Sequence, residues 1–374
     1  MDKVRSLSIH ADYRCRHSGQ CCSTNWDVPI ELPIYKTLTE ALTAGRLEMA
    51  SGTEGLSPFI LGPELPDDTA AMFERTEGGH CVFLERSSRL CIVHRDLGET
   101  ALASTCRHFP RVAIRDRRGT FIALSHFCPT AASMLFRDDV PLQIVERPHA
   151  FPPADYEGLD VTDEDLPPLL HPRMLMDLDG YSAWERHMVH RCEDVTRQPE
   201  SILATLQRDA DLVARWKPGM ITLSQAVEQL PLEFVDAPLQ VRLAPSLELF
   251  REAMTAVPDE FKPVPDEDGL EEAFTCWVRT EWPRFHAPVN RYIAAKAFAS
   301  WTSYQGRGVA AIVRGIEAAV GLVRVESARE CRDAHKPLDA DLLLEAFRSA
   351  DFLLNHLAVG EDLAENWSRV ANVP

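Results

Sequence analysis

Seven of the ten cysteines in this chain fall within its first 128 residues, where an even scatter would put about three. They are Cys15, Cys21, Cys22, Cys81, Cys91, Cys106 and Cys128. Thiols gathered in this way either pair as disulfides or bind a soft metal, and both outcomes force distant loops to close on one another. The spacings are Cys15-x5-Cys21-Cys22, then Cys81-x9-Cys91-x14-Cys106-x21-Cys128. A zinc ribbon needs two tight Cys-x-x-Cys knuckles and a ferredoxin needs a close-set run, and this pattern is neither. The fold itself must bring the thiols together. Adjacent Cys21 and Cys22 project in different directions, so only one of them is expected on a given metal.

The choice between disulfide and metal turns on compartment. The segment Met1 to Tyr13 carries Asp2, Lys3, Arg5 and Asp12 and has no apolar core of the kind a signal peptide needs. The longest apolar helical pattern, Val309 to Val325, is interrupted by Arg314, Glu317 and Arg324, so no segment reads as membrane-spanning. A cytoplasmic location is therefore expected, where structural disulfides do not persist, and the weight moves to metal. With 374 residues, 45% apolar and 26% charged, the chain can build a core without cysteine staples. A formal charge of −18 disfavours a nucleic-acid partner and is compatible with a basic one, such as a lysine-bearing protein.

Along the chain, Pro29 and Pro33 precede an expected helix over 34–50, with Tyr35, Leu38, Ala41, Leu42 and Leu47 near helical spacing. Residues 51–69 are rich in glycine and proline and read as loop. Cys81–Leu84 reads as extended and His94–Thr105 as a helix. Arg111–Asp116 and Thr120–Ser125, joined at Arg117-Arg118-Gly119, read as a β-hairpin. Pro129 suits the first turn of a helix ending near Phe136, and Pro141–Arg147 reads as a short strand. Residues 148–172 look like an acidic, proline-rich linker: Asp155 to Leu166 carries six acids and no base. Helices are expected over 173–195, 199–214, 222–230, 246–257, 269–282, 288–304, 308–328 and 338–358. The expected fold is mainly α with a small β-hairpin. An N-terminal cysteine-cluster domain (1–147) is joined by the linker (148–172) to a C-terminal helical domain (173–374). No Gly-rich phosphate loop follows a strand.

Four thiolates closed on zinc make a structural site, and an iron–sulfur cluster also usually takes four. A cluster held by three leaves one iron open to a ligand. Spacing does not separate zinc from iron–sulfur. His17, His80, His94, His108 and His126 lie close to cysteines in sequence; each is either a ligand, a supporting donor or an ordinary surface or core histidine. Cys192, Cys276 and Cys331 fall in helical patterns and read as small core residues. Arg107 and Arg111 flank the Cys106 motif, placed to donate to cluster sulfur or to a carboxylate, or else to pair with local acids.

Several stretches carry a resemblance. They are Tyr13-Arg14-Cys15, Cys22-Ser-Thr-Asn-Trp26-Asp27-Val28, Cys81-Val-Phe-Leu84 and Cys91-Ile-Val93. With them go Asp96-Leu-Gly-Glu99, Ser104-Thr-Cys106-Arg107-His108-Phe109-Pro110 and Leu124-Ser-His-Phe-Cys128-Pro-Thr-Ala-Ala132. Together they resemble the bacterial cysteine-cluster proteins described as zinc- or iron-chelating, and within that group the flagellin lysine-N-methylase family. Weaker matches follow at Asn290-Arg-Tyr292 and from Ala346 to His356. Where the family carries a further cysteine, the segment after Cys15 reads Arg-His-Ser-Gly-Gln. The resemblance implies methyl transfer from S-adenosylmethionine to lysines of a flagellin-like protein, with an iron–sulfur cluster, [4Fe-4S], on the N-terminal cysteines. Such a reaction needs a deprotonated amine in line with the sulfonium methyl, and acids to attract the lysine; Asp27, Glu99 and Asp351 are the acids considered for that lining. A non-enzymatic zinc- or iron-binding module and a cluster-based redox protein are the alternatives.

Overall fold

The computed structural model describes residues 3–24, 26–62, 65, 69–152, 154, 156, 158–162, 168–263 and 266–370, with the backbone alone for 369–370. The chain divides into two compact units: Arg14–Arg111, and a larger one made of Met1–Tyr13 together with Val112–Pro374. The smaller unit is thus inserted into the larger, and the expected boundary at 147/148 falls inside the larger unit. The fold is mainly α with some β.

In the smaller unit, Pro29–Ile30, Ala71–Phe73 and Phe59–Ile60 form a three-stranded antiparallel sheet with Ala71–Phe73 in the middle. The helix Leu32–Thr43 buries Leu38 and Ala41. It stops seven residues before the end that its apolar spacing suggested, and Leu47 and Ala50 enter the core from the following loop instead. Phe59, Phe73 and Phe83 pack ring on ring in this core, with centroids 5.6–6.4 Å apart. The helix expected over 94–105 is three short pieces: Ile92–Leu97, Glu99–Ala101 and Ser104–His108. Gly98 explains the break, since its φ of 86° lies outside the helical region and a side chain would resist it. Cys81 and Leu84 pair through single bridges, to Arg75 and Cys91, rather than as a strand.

The larger unit is built on a five-stranded sheet ordered Ile144–Glu146, Val4–Leu7, Gly119–Leu124, Arg111–Asp116, Gly158–Asp160. The expected hairpin is its centre, not an isolated element. Val4–Leu7 runs parallel to Gly119–Leu124, and Gly158–Asp160 parallel to Arg111–Asp116. That last strand corrects the linker reading: 158–160 is a sheet edge, and Leu169–His171 pairs with Met174–Leu175. The remaining linker positions 153, 155, 157 and 163–167 lie outside the described residues.

The helices pack around Val309–Ala334, which is buried on nearly every face along most of its length and keeps Arg324 and Glu326 paired within the packing. Local signals set the starts of several helices of this unit. Asp177 caps Leu178–Arg191 by accepting from the Gly180 N–H at 2.6 Å, and Thr222 and Gln225 form a capping box on Leu223–Glu228. Asp339 caps Ala340–Phe352. The remaining expected helices appear as Pro199–Val213, Ala244–Met254, Leu270–Ala273, His286–Ala297 and, beyond the last expected one, Gly360–Val370. Two stretches wind wider than an α-helix, Phe274–Val278 and Leu353–Leu357. Cys192 and Cys331 are core residues as expected, but Cys276, on the first of these wide turns, is exposed while Phe274 and Val278 fill the core. Among the described residues no helix is long and apolar enough to cross a membrane.

Candidate functional site

Two groups of chemically capable side chains stand out, one in each unit. In the smaller unit the backbone draws five thiols together. Gly19 turns the chain with φ 68°, and a Cβ there would sit 2.7 Å from the Arg89 carbonyl oxygen. Cys21 and Cys22 follow on a single 3-10 turn, their sulfurs 3.9 Å apart. The Cys81 N–H donates to the Cys22 carbonyl at 2.7 Å, tying the second cysteine segment to the first. Cys91 precedes Ile92–Leu97 and Cys106 lies within Ser104–His108. No disulfide joins any of the ten cysteines.

These thiols feel one another. Hydrogen bonding from Cys22 holds Cys91 down to about 7, aided by the Val93 and His94 N–H groups, and the same partner lowers Cys21. Cys22, the donor to both, is pushed up in consequence. Burial raises Cys81 to about 11, and burial with the charges of Cys81, Cys21 and Cys91 raises Cys106. Arg75 opposes this at both Cys81 and Cys106. Its Nη atoms donate to the carbonyls of Cys22 (3.3 Å), Gly79 (3.3 Å) and Trp26 (2.8 Å), and its buried Nε has no partner among the described residues. Sequence reasoning missed Arg75, because nothing local marks it; it reaches the cysteines through the bridge it forms with Cys81 and its bond to the Cys22 carbonyl.

The other expected site residues stand as follows. Cys15 is exposed, its sulfur accepting the His17 N–H at 3.4 Å. Cys128 belongs to the larger unit, where its sulfur meets the Tyr13 hydroxyl at 3.6 Å. Arg111 Nη1 donates to the Arg107 carbonyl at 2.9 Å. Asp27 and Glu99 are exposed. Among the described residues, no group of three or more His, Cys, Asp or Glu is placed to hold a single metal ion.

In the larger unit the centre is Asp351, fully buried. One of its oxygens accepts the backbone N–H of His126 at 2.6 Å and that residue's Nδ1 at 3.1 Å. The other accepts the Tyr292 hydroxyl at 2.7 Å and pairs with the Lys296 ammonium. Burial alone would raise this carboxyl, but Lys296 and His126 hold it well below the usual carboxylate range. His126 Nε2 lies 3.3 Å from His10 Nε2, and burial keeps His10 low. His356, on the wide turn Leu353–Leu357, shares a 2.8 Å hydrogen bond between its Nε2 and the Ser125 hydroxyl. Such turns recur at functional sites because they re-aim a side chain out of helical register. Burial lowers His356 to about 4, so it is neutral at pH 7.

Lys296 and His356 also line a cavity of about 370 Å³, whose walls include Phe298, Trp301, Ile312, Ile316 and Trp367. Of the three acids considered from sequence, Asp351 is therefore next to a cavity, held there by Lys296, rather than on a surface that would attract lysine. Sequence signals for this network existed only in part: Tyr292, Asp351 and His356 fall in the weaker resemblance, while Lys296 and His10 carry no motif. Comparison with protein-family models, with curated proteins and with solved structures returns no match.

Proposed function

We propose that the unit Arg14–Arg111 holds an iron–sulfur cluster on four of the thiols Cys21, Cys22, Cys81, Cys91 and Cys106. From the sequence resemblance, we further propose that the protein methylates lysines of a flagellin-like protein with S-adenosylmethionine. The observation that carries the first part is the convergence of five thiols from four separate chain segments beside the unpartnered Nε of Arg75. A reducing interior keeps such a set only if a metal centre uses it. Zinc would require four sulfurs about 2.3 Å from one ion, hence roughly 3.8 Å from each other. Cys21 and Cys22 stand 3.9 Å apart and Cys22 also hydrogen-bonds Cys91, but among the described residues no group of three or more is placed around one ion. Thiolates that bind different irons of one cluster stand farther apart. The donor set fits: a bound metal would hold its thiols deprotonated and offset the thiol hydrogen bonding that raises Cys22 and the burial that raises Cys106. Arg75 Nε then has an acceptor in a thiolate or cluster sulfur.

When bound, S-adenosylmethionine supplies a methyl group on a positive sulfonium. The chain's own part is to attract and align a lysine amine, and its charge of −18 favours a basic protein partner. The test is purification without air, with iron, acid-labile sulfide and zinc measured alongside the visible spectrum, then methyl transfer to flagellin followed by mass spectrometry. Iron with matching sulfide, and cofactor-dependent lysine methylation, are the expected results. Zinc alone without colour replaces the cluster with a structural site. A cluster without methylation leaves a binding or redox protein.

A further inference from the structure

We propose that the cavity of the larger unit is a binding site for a small aromatic carboxylate. Its volume, about 370 Å³, lies at the low end of the range for small-molecule sites, roughly 300–1,000 Å³. Phe298, Trp301 and Trp367 supply aromatic wall and Ile312, Ile316 and Leu354 aliphatic wall. A flat ring buried there gains contact on both kinds of surface.

The charge pattern selects the other half of the ligand. The lining contains one cation, Lys296, and no Asp, Glu or Arg. The Lys296 ammonium has three N–H groups and, among the described residues, one hydrogen-bonding acceptor, Asp351. The Tyr292 ring lies 5.2 Å from the ammonium on another side, and a remaining donor is left for a ligand. Asp351 itself offers nothing to an incoming cation, since its oxygens already take donors from His126, Tyr292 and Lys296. The indole N–H of Trp367 is buried without an acceptor among the described residues, and adds a further donor in the wall. A donor-rich, acid-free cavity with one ammonium accepts a carboxylate and rejects an amine. The site belongs to the larger unit alone, and the proposal does not depend on the methyl-transfer reading.

The experiment is calorimetric titration of the full chain with phenylacetate, its neutral isostere phenylacetamide and the amine phenethylamine. Phenylacetate is expected to bind saturably and about tenfold or more tighter than the amide, with no binding of the amine. Lys296→Met should remove that preference and Lys296→Arg should retain part of it. Should Lys296→Met fail to fold beside Asp351, Trp301→Ala serves in its place: Trp301 is 46% exposed, so its loss spares the core while opening the aromatic wall. Weaker phenylacetate binding by Trp301→Ala supports the site. Equal binding of the three probes, no saturable binding of phenylacetate, or unchanged affinity in Trp301→Ala overturns it.

Discussion

The carboxylate of Asp351 holds His126 twice, through its backbone N–H at 2.6 Å and its Nδ1 at 3.1 Å, across 225 residues of chain. The contact fastens the turn that follows the central hairpin strand to the helix Ala340–Phe352. Because the group is fully buried, its value to the fold lies in what its removal leaves behind.

Replacing Asp351 by Ala strands the Lys296 ammonium, the Tyr292 hydroxyl and the His126 donors in the core. Breaking a buried pair from one side costs about 3–5 kcal/mol. Tyr292→Phe removes one neutral donor and should cost about 1–2 kcal/mol. Urea unfolding of the two variants against the parent checks the order. A loss below about 1 kcal/mol for Asp351→Ala would mean that water or rearrangement satisfies those donors.

Acid should weaken the larger unit through His356. His356 binds a proton near 4 in the folded chain against 6.5 in the unfolded one, chiefly through burial, with Asp351 raising it and Lys296 lowering it. The unfolded chain therefore takes the proton first as pH falls below 6.5, and stability drops from there until the folded state also protonates near 4. Above 6.5 neither state is protonated and the effect vanishes. From pH 7.5 to 5 this amounts to about 2 kcal/mol for one histidine. His10, also lowered by burial, acts in the same direction. His356→Gln keeps a partner for Ser125 and should flatten the pH dependence of the urea midpoint over that interval; an unchanged slope would show that other groups drive it.

How much of this was legible in the sequence depends on the length over which each signal is written. The hairpin is legible because Val112, Ile114, Phe121, Ile122 and Leu124 supply apolar and β-branched content on both sides of Arg117-Arg118-Gly119 over a dozen residues. Its outer partners are not: Val4–Leu7 is four residues long and meets residues 120–122 from far away in the chain, and Gly158–Asp160 lies in an acidic run whose composition reads as linker. The cysteines announce a site, but spacing alone did not separate Cys128, which folds with the larger unit, from the five that converge. Arg75 and Lys296 carry no local mark, since a charged side chain on a strand end or a helix becomes chemical only through what the fold sets against it.

The converging thiols can be told apart from their neighbours by metal content. On the proposed cluster, Cys21→Ala, Cys91→Ala and Cys106→Ala should each lose most of the iron expected in the parent purified without air, because each removes a donor from the gathered set. Cys128→Ala should keep it, since that sulfur is buried against Tyr13 in the larger unit. Iron unchanged in all of the first three, or lost in Cys128→Ala alone, would place the metal elsewhere.

The loop that carries Cys21 and Cys22 also has a backbone requirement that does not involve sulfur. Gly19 sits at φ 68°, and the position of its missing Cβ is 2.7 Å from Arg89 O and 3.1 Å from Leu84 Cδ1. Both obstacles are fixed, one a carbonyl and the other a buried core side chain. Arg89 is held in turn by its own Nε, which donates to the Ser18 carbonyl at 2.6 Å, so the two loops are fastened at the point of closest approach. Gly19→Ala therefore forces the Cys21–Cys22 turn away from Arg89, at a cost of about 1–3 kcal/mol for the strained conformation and more for the clash. Iron occupancy should fall in Gly19→Ala although every cysteine is present, and limited proteolysis should open the segment 14–24 first. Full iron occupancy with parental protease resistance would show that the loop can close without the left-handed turn.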